Sequence, residues 1–129
     1  MEVLSSRVLV RPSSFDEGVR WYRDVLGLRV YREYGIGGRV TGTVFFLGGG
    51  FLELVSGSSP APTGGLTLWL QVPDVDAEHA RLVAAGATIT REPKTEPWGL
   101  REMWVADPDA NNLVVVEVPE THPIRRRVD

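Results

Sequence analysis

Apolar and polar positions follow the same plan in two stretches of the chain. Residues 8–33 and residues 68–92 each open with a short apolar run and break at proline, serine or aspartate. Each then continues at helical spacing to a glycine and closes on an alternating run that ends in Arg-Glu. The opening runs match at a separation of sixty positions, whereas the closing glycines, Gly27 and Gly86, match at fifty-nine. The pattern indicates an internal repeat in which the second helix has lost one residue.

Each repeat predicts one strand, one helix and three further strands. Ser14 and Glu17 have the spacing of a capping box, and Gly27 is a helix stop. In the second repeat Asp74 is the predicted N-cap and Gly86 the stop. The later strands are predicted over residues 28–33, 41–47 and 51–55, and over residues 88–92, 101–106 and 113–118. The fold class is therefore α+β, with two tandem βαβββ repeats.

The repeats define the predicted organisation of one domain over residues 1–129. The first repeat covers residues 5–56, a polar linker residues 57–65, the second repeat residues 66–119 and a tail residues 120–129. One helix covers one face of each predicted sheet, so we expect the helices on the outside of a cup-shaped mixed sheet. A concave site of this kind suits a small-molecule ligand.

Composition excludes several classes of function. The chain has no cysteine, which rules out disulfides, thiolate metal sites and cysteine nucleophiles. The net charge of −3 gives no overall basic field for nucleic acid, and the basic run at residues 125–127 fits a solvated tail. No apolar run is long enough for a membrane helix, and the N-terminus lacks a signal-peptide pattern. We expect a cytoplasmic protein with neither a membrane nor a nucleic-acid partner.

Four segments carry a resemblance to a known family. They are Trp-Tyr-Arg-Asp-Val-Leu-Gly-Leu at residues 21–28, Phe-Leu-Glu-Leu-Val at 51–55, Arg-Leu-Val-Ala-Ala-Gly-Ala at 81–87 and Asp-Pro-Asp-Ala-Asn-Asn-Leu at 107–113. With these segments the chain resembles the vicinal oxygen chelate superfamily, which contains glyoxalase I, the extradiol dioxygenases and the fosfomycin and bleomycin resistance proteins. The resemblance implies paired βαβββ motifs around a cup-shaped site, commonly in a homodimer.

The resemblance also implies four positions for the ligands of a divalent metal ion. They fall on Arg7, Glu53, Thr67 and Val114. Imidazole and carboxylate groups suit such an ion, and Glu53 alone among the four offers one. We therefore expect no metal ion and no other cofactor.

Strand alternation and one loop predict the ligand-binding residues. Alternation places Arg7, Glu53, Thr67, Trp69 and Gln71 on the sheet faces that the helices leave free. The segment at residues 96–102 resembles the Pro-Trp-Gly-x-Arg-Glu loop of bleomycin-binding members and adds two further candidates, Trp98 and Arg101. An aromatic side chain on such a loop can stack on a planar ligand.

Several of these candidates have a structural alternative. Arg7 and Glu53 could form an ion pair that joins two strands, and Trp69 could pack in a dimer interface. Trp98 could anchor its loop on the sheet edge, and Trp104 fits the core better than a ligand site.

Three functions stay open at this point. The first is metal-independent binding of a hydrophobic or aromatic small molecule, such as an antibiotic, for sequestration or resistance. The second is a metal-independent lyase, isomerase or cyclase, with Glu53 as general base and Arg7 or Arg101 as oxyanion partner. The third is a metal enzyme, for example a dioxygenase, in which Glu53 belongs to a non-standard ligand set.

Overall fold

A computed structural model describes residues 2–57 and 67–122 of the chain. The chain divides into two compact units, residues 1–63 and residues 64–129. The boundary falls within the predicted linker, most of which lies outside the described residues, as does most of the predicted tail.

The first unit is a four-stranded mixed sheet with one helical segment. Its strands are β1 (Arg7–Val10), β2 (Val30–Ile36), β3 (Arg39–Leu47) and β4 (Gly50–Val55), in the order β1-β4-β3-β2. The strand β1 runs parallel to β4, and the other neighbours are antiparallel. This is one βαβββ module.

The helical segment of the first unit changes its winding part-way along. Helix α1 (Phe15–Arg20) starts at Ser14, whose hydroxyl accepts a hydrogen bond from the Glu17 amide, and a π-helical segment follows over Trp21–Val25. The Leu26 amide donates to the Trp21 carbonyl at 2.9 Å, which is the i→i+5 bond of a π-helix. The segment packs against the sheet face that carries the buried side chains Val10, Phe45, Leu52 and Leu54.

The second unit repeats this architecture. Its strands are β5 (Thr67–Gln71), β6 (Thr88–Thr95), β7 (Arg101–Ala106) and β8 (Asn112–Glu117), in the order β5-β8-β7-β6. Helix α2 (Val75–Ala84) is capped by the Asp74 carboxylate, which accepts from the Ala77 amide at 3.0 Å. Its buried residues Val75 and Leu82 lie on the side of the sheet that carries Leu113 and Val115.

The two predicted βαβββ modules and the α+β class are confirmed, with shifted boundaries. Strand β2 runs to Ile36 rather than Glu33, because the turn to β3 is made by Gly37 and Gly38, both at positive φ. Strand β6 continues past Pro93 to Thr95; it is an edge strand, where a missing amide donor is tolerated. Among the described residues no helix has the length and apolarity that a membrane crossing demands.

Candidate functional site

The face of the first sheet opposite α1, called here the helix-free face, carries the candidate residues of the first unit. Strand pairing places Leu9 beside Glu53, Glu53 beside Val44, and Phe51 beside Phe46, so these side chains share one face. Arg7 is two residues before Leu9 and shares that face too. The structure therefore brings Arg7 and Glu53 together, as the alternation pattern predicts.

Glu53 is a buried carboxylate with both oxygens engaged. The Arg7 guanidinium donates to Oε1 at 2.5 Å, and the Tyr34 hydroxyl donates to Oε2. The hydrogen bond from Tyr34 and the pairing with Arg7 hold the pKa of the Glu53 carboxyl below its ordinary value, while burial opposes them. The same bond and burial raise the pKa of the Tyr34 phenol. At neutral pH the pair Arg7–Glu53 is therefore a closed ion pair.

Tyr34 reaches Glu53 because Gly42 gives its ring room. A Cβ added at Gly42 would lie 2.0 Å from Tyr34 Cζ, a distance that no side chain tolerates. Gly42 pairs directly with Tyr34 in the sheet, so a glycine within a strand marks the close approach of a side chain. This glycine is the signal by which the sequence could have pointed to Tyr34.

Three aromatic side chains form a cluster on the helix-free face of the first sheet. The ring centroids of Tyr31, Phe46 and Phe51 lie 4.9–5.9 Å apart. Tyr31 is 49% exposed and Phe46 is 40% exposed. We call these three residues the aromatic cluster.

A local irregularity brings Tyr31 into the aromatic cluster. Simple alternation would place Tyr31 and Tyr34 on opposite faces. The pairing of β2 with β3 shifts between Val30 and Arg32, however, and such a shift turns a side chain towards the other face. Alternation alone could not have placed Tyr31 on this face. Phe46 and Phe51 lie on either side of a glycine hairpin in the sequence, so their proximity was predictable.

Two guanidinium groups border the aromatic cluster. The Arg7 guanidinium carbon lies 5.8 Å from the centroid of Phe51, and that of Arg29 lies 5.7 Å from the centroid of Phe46. Both distances are in the range of cation–π attraction. Arg29 is another residue that the sequence pattern did not single out.

The second unit places three of its candidates on the corresponding face. Thr67, Trp69 and Gln71 alternate with Leu68 and Leu70, and all three are exposed. Trp69 is 49% exposed and pairs with Val114 in the sheet. On the opposite side of this strand Leu68 is buried and Leu70 is partly buried.

Trp98 sits on a loop that is fixed at several points. Its indole N–H donates to buried Glu102 at 2.9 Å, and its backbone carbonyl lies 3.1 Å from the His122 ring nitrogen. Gly99 follows at positive φ, and buried Leu100 packs with Val116. Trp98 is nevertheless 56% exposed, so its side chain is fixed in position but lies on the surface rather than in the core.

Arg101 lies on the other face of the second sheet. Its guanidinium makes two hydrogen bonds of 2.8 Å to the Asp76 carboxylate on α2. Its ligand-binding role stays a prediction, and the structure gives it a different partner. Trp104 is partly buried beneath the Arg91 guanidinium, 4.2 Å from the ring centroid.

A sequence profile of the Glyoxalase/Bleomycin resistance protein/Dioxygenase superfamily matches residues 5–115. The chain belongs to this superfamily.

Solved structures of the superfamily's fold are similar over nearly the whole chain. TioX from Micromonospora sp. ML1 is 26% identical, with a TM-score of 0.75 over 89% of this chain and 98% of that one. A glyoxalase/bleomycin resistance protein from Catenulispora acidiphila is also 26% identical, with a TM-score of 0.70 over 91% of this chain and 100% of that one.

Mycobacterial relatives are similar over part of their length. The uncharacterized protein Mb0911c of Mycobacterium bovis is 38% identical over 74 residues, which cover 54% of this chain and 49% of the relative. Rv0887c of Mycobacterium tuberculosis is 38% identical over the same length, or 44% of that protein. The matched part of this chain thus spans less than half of each relative.

The residues at the positions that the resemblance implies for metal ligands do not fit a metal ion. Arg7 carries a positive charge and already pairs with Glu53. In the second unit, Val114 has no donor atom and Thr67 offers only a neutral hydroxyl, a weak ligand beside imidazole or carboxylate. We derive no chemistry through a metal at these positions.

A separate group of carboxylates is engaged in helix capping. Asp74, Asp76 and Glu117 bring ligand atoms within 4.8 Å of one another. Asp74 caps α2, Glu117 accepts from the Val75 amide at 2.9 Å, and Asp76 holds Arg101. Their arrangement is accounted for by the start of α2.

Proposed function

We propose that this chain binds a hydrophobic or aromatic small molecule, such as an antibiotic or another natural product, without the help of a metal ion. Such binding would sequester the ligand, and resistance to a drug is one use of sequestration. The ligand would lie against the helix-free face of the first sheet.

One observation carries the proposal: an exposed aromatic cluster lies beside a carboxylate that has no free oxygen. Tyr31 and Phe46 expose large apolar rings that a soluble protein would ordinarily bury or cover. Stacking on one aromatic ring contributes about 0.5–1.5 kcal/mol beyond the burial of area, and buried area itself adds about 25 cal/mol per Å². Trp69 and Trp98 offer further exposed rings in the second unit.

The engagement of Glu53 weighs against the alternative of a metal-independent enzyme. A general base needs a pKa near the working pH. The hydrogen bonds from Tyr34 and Arg7 engage one carboxylate oxygen each and lower the pKa of Glu53, which makes the carboxylate a weaker base. Binding therefore has more support than proton abstraction by this residue.

Calorimetric titration tests the proposal directly. We would titrate bleomycin and a panel of other aromatic antibiotics into the wild type and into Phe46→Leu and Trp98→Leu. Phe15→Leu is the matched control, since it removes a ring from the helix side of the first sheet. We expect one or more ligands to bind the wild type, and a variant on the binding face to bind roughly threefold to tenfold more weakly. The control should keep the wild-type affinity.

Recovery of the ligand separates binding from catalysis. A binder returns the ligand with unchanged mass after prolonged incubation, and Glu53→Gln alters affinity at most. Conversion of the ligand to a product that Glu53→Gln no longer forms would establish the enzyme instead. The absence of binding heat from the whole panel would count against the proposal.

A further inference from the structure

We propose that the ligand of the aromatic cluster is an anionic aromatic molecule, with its ring on the cluster and its acidic group on the Arg29 guanidinium. This inference rests on the proposed function and names the chemical class of its ligand. It adds charge selection to a face that stacking alone would leave open to any planar molecule.

Arg29 is an uncompensated cation at the rim of the aromatic cluster. Its side chain is exposed, and no carboxylate of the described residues forms a salt bridge with it. Its carbonyl accepts the Phe46 amide at 2.9 Å, which ties the backbone of Arg29 to β3 beside the ring. The guanidinium thus lies near Phe46 and forms no salt bridge with the described residues.

The surrounding charges favour an anion. Three guanidinium groups, those of Arg7, Arg29 and Arg32, lie over rings on this face. Among the residues that the structure describes, strand pairing puts one carboxylate there, that of Glu53, and Arg7 neutralises it. Glu33 pairs with Thr43 and so belongs to the helix side. The face therefore repels an amine and attracts a carboxylate or another acidic group.

Geometry matches this chemistry as well. A guanidinium offers a planar fork of donors that pairs with a carboxylate through two parallel hydrogen bonds. The Arg29 guanidinium lies 5.7 Å from the centroid of the Phe46 ring, so an aromatic acid could reach the aromatic cluster and the guanidinium at once. A neutral ring of the same shape would make the stacking contact alone.

A pair of isosteric probes tests the inference. We would measure the dissociation constants of 2-naphthoate and of 2-naphthamide, which share a ring system and differ in charge, by titration at low salt. The wild type should bind the acid roughly five- to tenfold more tightly than the amide. Added salt should reduce this preference, because it screens an exposed pair.

Variants assign the preference to Arg29. Arg29→Gln should abolish the acid preference, so that the acid and the amide bind equally, and Arg29→Lys should keep part of the preference. Arg39→Gln is the control, because it removes an exposed arginine at the far end of β3. Circular dichroism confirms that each variant is folded.

The outcomes distinguish this inference from the proposed function. If both probes bind equally and Phe46→Leu weakens both, the aromatic site stands and the anionic class is overturned. If an acid preference persists in Arg29→Gln, the role of Arg29 is overturned. If neither probe binds, this inference is overturned, and the antibiotic titration decides the proposed function separately. If Phe46→Leu leaves the affinity of both probes unchanged, the ligand does not lie on the aromatic cluster.

Discussion

At the scale of single residues, two side chains decide the chemistry of Glu53. Tyr34 and Arg7 each take one carboxylate oxygen, and Gly42 provides the space that Tyr34 needs. The sequence predicts the pairing of Arg7 with Glu53, since both fall on one face by alternation. It does not predict Tyr34, because that contact depends on the lateral register of β2 against β3.

The lowered pKa of Glu53 predicts a pH-dependent contribution to stability. A carboxyl whose folded pKa lies below its unfolded value stabilises the fold at neutral pH, and this contribution is lost as the pH falls through the folded pKa. Glu53→Gln lacks it. We expect the difference in urea midpoint between wild type and Glu53→Gln to be largest near about pH 7 and to shrink towards about pH 3.

Tyr34→Phe serves as the companion variant for this measurement. It deletes the hydroxyl that lowers the pKa of Glu53 most. At neutral pH the urea midpoint of Tyr34→Phe should therefore exceed that of Glu53→Gln by less than the wild-type midpoint does. A difference between wild type and Glu53→Gln that grows on acidification would contradict the argument.

At the scale of elements, the helix of the first repeat absorbs one extra residue. The separation between matching positions falls from sixty before the helix to fifty-nine after it, and the first unit contains a π-helical segment where the second has a regular helix. A π-segment accommodates an added residue without disturbing the strands on either side. The sequence thus revealed the length difference but not the winding that accommodates it.

The two helix caps predict unequal effects of substitution. Asp74 accepts from its N3 amide at 3.0 Å and carries a negative charge at the positive end of the helix, whereas the Ser14 contact is 3.4 Å long. Asp74→Ala should lower the free energy of unfolding by about 1 kcal/mol, and Ser14→Ala by roughly half of that or less. Urea unfolding of both variants measures the difference. Equal costs, or a larger cost for Ser14→Ala, would refute this ranking.

Strand faces were predictable where the strands are regular and not where they are irregular. Trp69 lies on the predicted face because β5 alternates without interruption. Tyr31 escapes the rule because the register shifts beside it. Arg101 was predicted to bind ligand because its loop resembles that of bleomycin-binding members. In the structure Arg101 pairs with Glu117 and binds Asp76 on α2, which places it on the helix side of the sheet.

At the scale of the whole molecule, a superfamily fold carries residues unsuited to a metal ion at the implied positions. We therefore expect protein purified without chelator to contain well under one metal ion per chain by elemental analysis. A chelator should leave the melting temperature unchanged, because a bound ion stabilises only the folded state that holds it. Stoichiometric metal, or a fall in melting temperature with chelator, would contradict this prediction.

The homodimer that the resemblance implies stays a prediction, which sedimentation analysis can test.

The engaged carboxylate has a consequence for the proposed role in sequestering a compound. Because both oxygens of Glu53 are hydrogen-bonded and its pKa is lowered, the proposed binder would release the compound intact whenever the complex opens. The amount of compound bound would then be limited by the number of protein molecules, because no turnover frees the sites. Protection would rise with the level of expression and saturate once the dose exceeds the number of sites.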